Sequence, residues 1–326
     1  MDPKVLYLLA RFRPLTSWSG AGILLAAAVT IREMGIDSLN WTLFAAAAAI
    51  VVLLQYVAHP LNDIVDYPVD KQANIGGTGR HKPLLSGLAT IKDFKAISAV
   101  VLALALTLTA YVASALPFAL VFGAVGFFTL FAYNLKPFAL SYKPFSEVLV
   151  GGVSNLVMIL GVSYVLAGQV LLAAGIVGAI HALMSTSMHC SYFAMDYQSD
   201  AWGSKKSTIV TWPYGPWEAL YPAIGLGATA AIGLFSVTSL GFTPLVAAVA
   251  FALLLFLGTR IAITRQQYHL THGQYYMCPV EDPSKVVPAT LTAWGAASGS
   301  MRKALVAQMN VIILSAIVFA VALVVV

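Results

Sequence analysis

The sequence predicts an all-α integral membrane protein of about nine transmembrane helices, and three observations predict it. Sixty per cent of the 326 residues are hydrophobic and ten per cent are charged, too little polar surface to cover a domain that lives in water. About nine stretches each offer the ~20 mainly apolar residues needed to cross a bilayer. Runs such as 45–54, apolar throughout, and 311–326, apolar but for Ser315, disagree with the period-two alternation of a membrane barrel.

Taken in order, the first span covers roughly 15–34. It follows Lys4, Arg11 and Arg13, and its length and the spans after it favour a retained helix over a cleaved signal peptide. The second covers 41–60 and runs into an acid-rich stretch. The third and fourth, 95–116 and 117–135, are joined by a short connection, as are the fifth and sixth, 146–167 and 169–194. The seventh, eighth and last cover 214–238, 241–263 and 304–326. The connection 264–303 has no clear periodicity and is longer than a plain connector needs; it reads equally as a lid, an interfacial segment or a disordered stretch. The whole chain is one polytopic domain, with halves at approximately 11–135 and 146–263.

Charge placement orients these spans. With the N-terminus cytoplasmic, every Lys and Arg of the 18 except Arg32 falls on the inside, the bias that sets topology. The connections 36–40, 114–117, 167–169 and 239–241 on the outside are short and nearly uncharged. The expected location is a multi-pass place in the cell membrane. The net charge of +5 is scattered over many loops rather than gathered in a stripe, so no nucleic-acid partner is expected. Cys190 and Cys278 have no paired spacing and indicate neither a disulfide framework nor structural zinc.

Two acidic motifs carry the chemistry. The inner end of the second span reads Asn62, Asp63, Ile64, Val65, Asp66, Tyr67, Pro68, Val69, Asp70, and the sixth span ends in Asp196, Tyr197, Gln198, Ser199, Asp200. Both contain Asp-Tyr-x-x-Asp, and both precede basic residues: Lys71, Arg80 and Lys82 after the first, Lys205 and Lys206 after the second. Such a repeat is the trace of a two-half architecture that brings two helix ends to a shared cavity. At 100° per residue, Asp63, Asp66 and Asp70 fall within about 60° of one another, and Asp196 and Asp200 within about 40°. Clustered carboxylates repel, and at a membrane edge they call for a cation. Hard oxygen donors at this density suit Mg²⁺, which takes a few carboxylates together with substrate phosphates. Pro60 and Pro68 interrupt the first motif, which places Asp70 past an expected kink.

These residues resemble the UbiA superfamily of intramembrane prenyltransferases, whose signature is Asn-Asp-x-x-Asp-x-x-x-Asp on the second helix and Asp-x-x-x-Asp on the sixth. Further similarity lies in Arg13-Pro14, in Lys82-Pro83-Leu84-Leu85-Ser86-Gly87 and in Lys206-Ser207-Thr208. The resemblance implies two pseudo-repeated four-helix halves plus one helix around a central cavity with a cytoplasmic cap. It also implies transfer of a polyprenyl group from a polyprenyl diphosphate to a lipid-soluble acceptor. Asn62, Asp63, Asp66, Asp70, Asp196 and Asp200 would hold Mg²⁺, with Mn²⁺ as an alternative ion, and Asp66 and Asp196 are the acids expected to be catalytic. Arg80, Lys82, Lys205, Lys206, Lys136 and Lys143 are candidates for diphosphate contact. Tyr67, Tyr133 and Tyr197, with Arg13, are candidates for substrate contact, the ring faces stabilising a developing carbocation. The family's Tyr and Lys after the fourth helix match either Tyr133 with Lys136 or Tyr142 with Lys143. His59, His181 and His189 read as core histidines before bases. The stretch 137–151, with Ser141, Tyr142, Lys143 and Glu147, is similar to members that prenylate dihydroxynaphthoate. The string 82–87 is closer to members acting on hydroxybenzoate, chlorophyllide or glycerol-phosphate lipids, so the acceptor stays open. The rival reading is a cation-coupled secondary transporter, but its acids would lie near the bilayer midplane.

Overall fold

The computed structural model describes residues 12–73, 83–202 and 205–211, together with positions 313, 316, 317, 320, 321, 323 and 324. Among the described residues there are helices and turns and no strand. Six longer helices organise them: α1 Phe12–Met34, α2 Trp41–Ala73, α3 Ile91–Ala115, α4 Ala119–Asn134, α5 Ser154–Ala167, which continues a π-helical segment Val148–Val153, and α6 Leu172–Trp202. Trp41–Lys71, Ile91–Ala115 and Val148–Ala167 are long and apolar enough to cross a membrane, and Ala119–Asn134 and Leu172–Leu183 are shorter apolar helices. The predicted spans 214–238 and 241–263 and the connection 264–303 lie outside the described residues.

Lipid replaces water as the outer solvent. Val100, Leu104 and Leu106 on α3 and Phe128 on α4 stand exposed, which hydrocarbon tolerates because it is as apolar as the side chains themselves. The interior mixes alanines, which let helices approach, with branched aliphatic side chains. Ala21, Leu25, Ala28 and Val29 of α1 pack with Leu43, Ala46 and Ala47 of α2, Ile159 and Val162 of α5, and Ala173, Ala174 and Val177 of α6. Ala316, Ala320 and Leu323 join the same cluster, and the Arg32 guanidinium donates to the Leu323 carbonyl at 3.4 Å, tying the last predicted span to the end of α1.

Helix ends follow local chemistry. Thr90 and Asp93 form a capping box at the start of α3, with the Thr90 N–H donating to Asp93 at 2.8 Å and the Asp93 N–H donating to the Thr90 hydroxyl at 3.2 Å. Gly168 ends α5 in the left-handed conformation, φ 73°, donating to the Tyr164 carbonyl at 2.7 Å. The Asn40 N–H donates to Leu166 across the same end of the bundle at 3.2 Å, so the connections after α1 and α5 meet there as the charge pattern expects.

Two sequence expectations are corrected. The second span does not stop near 60: α2 continues to Ala73 with Pro60 and Pro68 inside it. The sixth runs on to Trp202. Both acidic motifs therefore lie within helices, Asp70 included. A proline removes one N–H, which a transmembrane helix packed against neighbours tolerates. Hydropathy marks where the lipid ends, whereas the hydrogen-bonded ladder of α2 and α6 continues beyond it.

A glycine brings the π-helical segment that leads into α5 close to α6. A Cβ on Gly151 would lie 2.6 Å from the Thr186 Cα and 2.7 Å from its N, distances at which a backbone has to move. The same π-helical stretch shifts hydrogen-bond registry, and Asn155 answers it by donating to the Gly151 carbonyl at 2.9 Å and to the Ser185 hydroxyl at 2.9 Å. Gly151→Ala is therefore expected to destabilise the bundle by about 1–3 kcal/mol. Gly20→Ala, where nothing lies within 4 Å, should be neutral or stabilising by about 0.5–1 kcal/mol. Thermal unfolding of the two variants in detergent checks the contrast; equal midpoints would show that the α5–α6 approach is not tight.

Candidate active site

The acids of the first motif lie along α2, one turn apart. Asp63 and Asp66 are 7% and 5% exposed and Asp70 is half-buried, while Asp200 on α6 is 5% exposed. Removing carboxylates from water is costly unless charge or hydrogen bonds compensate. For Asp66 both compensations are present. One oxygen accepts from the Tyr142 hydroxyl at 2.9 Å, and the other accepts from the Lys205 ammonium at 2.8 Å. The same ammonium lies 3.5 Å from Asp200 and 4.9 Å from the centre of the Tyr142 ring. One cation is thus shared by a carboxylate from each acidic motif, with an aromatic face beside it.

Burial alone would lower the Lys205 ammonium, but Asp200 and Asp66 together outweigh it and raise it well above its ordinary value. Burial raises the Tyr142 phenol, and the negative charge of Asp66 raises it further, so the hydroxyl keeps its proton to give to Asp66. The Tyr142 hydroxyl also lies 3.4 Å from the Val65 carbonyl.

The segment bearing Lys205 is fastened to the connection between α4 and α5. The Lys206 N–H donates to the Tyr142 carbonyl at 3.2 Å, and the Lys205 N–H donates to the Asp200 carbonyl at 2.9 Å. Thr208 donates to Glu147 at 2.8 Å and accepts from the Phe145 N–H at 2.7 Å. Ala139 and Phe145 in this connection have φ of 40° and 64°, conformations that cost a non-glycine residue about 1–3 kcal/mol and persist only where the surroundings hold them.

The other predicted residues fall as follows. Asn62 is half-buried on α2. The Tyr67 ring packs on a small apolar cluster of Leu84, Ala89 and Phe94. Tyr133 is half-buried at the end of α4, and the Tyr142 hydroxyl is bonded to Asp66. Lys136, Lys143 and Lys206 are exposed. Asp196 and Tyr197 lie on the α6 backbone four and three residues before Asp200, and Arg13 lies near the start of α1. Arg80 and Lys82 lie outside the described residues. His189 is bonded to the Ser185 carbonyl at 2.8 Å, and His181 is buried. Glu147 and Thr208 stand in the sequence only as parts of family-like strings; an acid immediately before an apolar span is the signal that singles Glu147 out.

Among the described residues no three His, Cys, Asp or Glu side chains converge as a ready metal cage. The donor set nevertheless suits a hard divalent cation: carboxylates from both motifs already share one positive charge, and Mg²⁺ needs only a few such oxygens beside phosphate and water.

Among the described residues the chain is a helical bundle with membrane-length apolar helices, in which one carboxylate from each acidic motif shares a lysine ammonium, the architecture of an intramembrane enzyme. The UbiA prenyltransferase family model matches residues 17–275, and the chain belongs to that family and is a membrane prenyltransferase. No curated protein matches. Among solved structures, the chain is similar to a digeranylgeranylglyceryl phosphate synthase, at 16% identity and TM-score 0.61 over 98% of this chain and 99% of the other. It is similar also to a UbiA homologue from Archaeoglobus fulgidus bound to GPP and Mg²⁺, at 16% identity and TM-score 0.54 over 94% and 99%. A UbiA homologue from Aeropyrum pernix K1 is similar at 16% identity and TM-score 0.57 over 90% and 98%. The likeness lies in the fold.

The charge environment sets a pH signature. A raised Lys205 contributes stability in full below its ordinary value of about 10.5 and loses it as pH rises toward the folded value; Tyr142, raised from about 10, acts in the same direction. The melting temperature should therefore hold steady between about pH 7 and pH 9 and fall above about pH 10. Lys205→Met should melt lower at neutral pH and show a flatter decline. An alkaline limb of the same steepness in both proteins would contradict the assignment.

Proposed function

We propose that the protein transfers a polyprenyl group from a polyprenyl diphosphate to a membrane-associated acceptor, with Mg²⁺ as the divalent ion. The observation that carries this reading is the Lys205 ammonium held between Asp66 of the first motif and Asp200 of the second, because it marks where cationic charge is stabilised between the two motifs.

In this reading Asn62, Asp63, Asp66, Asp70, Asp196 and Asp200 hold the ion, which when bound neutralises the leaving diphosphate and polarises the allylic C–O bond. Lys205 supplies fixed positive charge for the diphosphate oxygens from a buried position, where it acts more strongly than in water. Lys206, Arg80 and Lys82 are candidates for the same contact from the flanking loops, and Lys136 and Lys143 for contact from the α4–α5 connection. Tyr142 orients Asp66 through its hydroxyl and keeps a ring face beside the cationic centre; Tyr133 and Tyr197 remain candidates for contact with the prenyl chain. The acceptor is a quinone-precursor aromatic, such as dihydroxynaphthoate or hydroxybenzoate, or a glycerol-phosphate lipid. The N-terminus and the site face the cytoplasm, as the distribution of Lys and Arg favours.

The test is prenyl transfer by the full chain in nanodiscs, with geranylgeranyl diphosphate, Mg²⁺ and a panel of both acceptor types, read by mass spectrometry of the lipid extract. A prenylated product is expected, abolished by EDTA and reduced at least about 100-fold in Asp66→Ala and Asp196→Ala. Absence of both transfer and Mg²⁺-dependent diphosphate binding across donor lengths would sink the reading. Cation-driven flux in proteoliposomes would then favour the transporter.

A further inference from the structure

We propose that Glu147 and Thr208 are positioning residues that set Lys205 between the two acidic motifs; the inference rests on the reading of Lys205 as a diphosphate-binding residue. Residues 205–207 have no helix of their own, so the place of the ammonium depends on what holds the flanks of this short segment. On one side the Lys205 N–H is bonded to the Asp200 carbonyl at 2.9 Å. On the other side the anchor is Thr208, three residues along the chain.

A threonine hydroxyl has one proton to give and lone pairs to receive, and Thr208 uses both. Its proton goes to Glu147 Oε2 at 2.8 Å, and its oxygen receives the Phe145 N–H at 2.7 Å. Glu147 is 1% exposed, so its carboxylate acts from the interior and not as a solvated surface acid. Phe145 is held in a left-handed conformation, φ 64°, that its side chain disfavours, and its N–H is the group that Thr208 receives. Between the two anchors the Lys206 N–H reaches the Tyr142 carbonyl at 3.2 Å. The clamp therefore joins the two strips of chain that deliver Lys205 and Tyr142 to the two oxygens of Asp66. Neither Glu147 nor Thr208 is asked to touch the substrate.

The experiment compares Thr208→Ser, which keeps the hydroxyl, with Thr208→Val, which keeps the shape and loses both bonds. Lys205→Gln, the double variant Thr208→Val/Lys205→Gln and Glu147→Gln complete the set. Each full-length protein in nanodiscs is titrated calorimetrically with inorganic diphosphate in the presence of Mg²⁺, and the KM for the prenyl diphosphate is measured in parallel. Thr208→Val is expected to weaken diphosphate binding and raise the donor KM about tenfold, the scale of losing a well-made buried hydrogen bond, with Thr208→Ser within about twofold of wild type. The double variant should be no weaker than Lys205→Gln, because residues acting through one group are not additive.

Equal behaviour of the Val and Ser variants, or a Thr208→Val loss that multiplies in full onto Lys205→Gln, would overturn the clamp and leave Lys205 as a binding residue. If Lys205→Gln alone changed neither quantity, the underlying reading of Lys205 would fail and the clamp with it. Should Thr208→Val not fold, Glu147→Gln carries the comparison: about threefold weaker binding is expected from loss of the charged acceptor, and an unchanged value would overturn the proposal.

Discussion

A carboxylate buried at the edge of a membrane has to be answered by charge, and most of what is organised at this end of the bundle is the answer to Asp66. Left unpaired, the group would cost several kcal/mol. Its two oxygens instead meet a phenol from the α4–α5 connection and an ammonium from the segment after α6. Three pieces of chain far apart in sequence thereby become one site. The ammonium is itself kept protonated by the same acids.

That pairing is possible only because the helices beneath it come close. Hydrocarbon gives apolar side chains no reason to leave it for a protein interior, so association depends on surface fit and on polar contacts that lipid cannot supply. Gly151 against the Thr186 backbone provides the first. The bond between Thr30 and Ser163 hydroxyls, 2.7 Å long, and that from Asn155 to Ser185 provide the second. These contacts set α5 and α6, and with them the ends of the connection and of the motif helix that the acids occupy.

Much of this was legible in the sequence. Long apolar runs gave the positions of α1 to α6, because a bilayer imposes a minimum length, and the spacing of Asp63, Asp66 and Asp70 matches their placing about one turn apart along α2. The ends of α2 and α6 were misplaced because hydropathy falls at the first acids while the backbone ladder runs on through Pro60 and Pro68. Tyr133 and Tyr142 were indistinguishable as partners of the first motif, since each precedes a lysine; the folded connection brings the Tyr142 hydroxyl to Asp66. The Glu147–Thr208 bond spans 61 residues, and no local pattern announces a pair at that separation.

The π-helical segment Val148–Val153 bears on how this chain can vary. Such a segment is an α-helix that has taken in an extra residue locally, leaving the faces on either side in place. Loss of one residue within it would restore the regular ladder and keep Ile159 and Val162 turned toward the core. The same loss anywhere within Ser154–Ala167 would rotate every later side chain by about 100°. Single-residue changes in length are therefore confined, on this helix, to the stretch that leads from the site connection into the bundle.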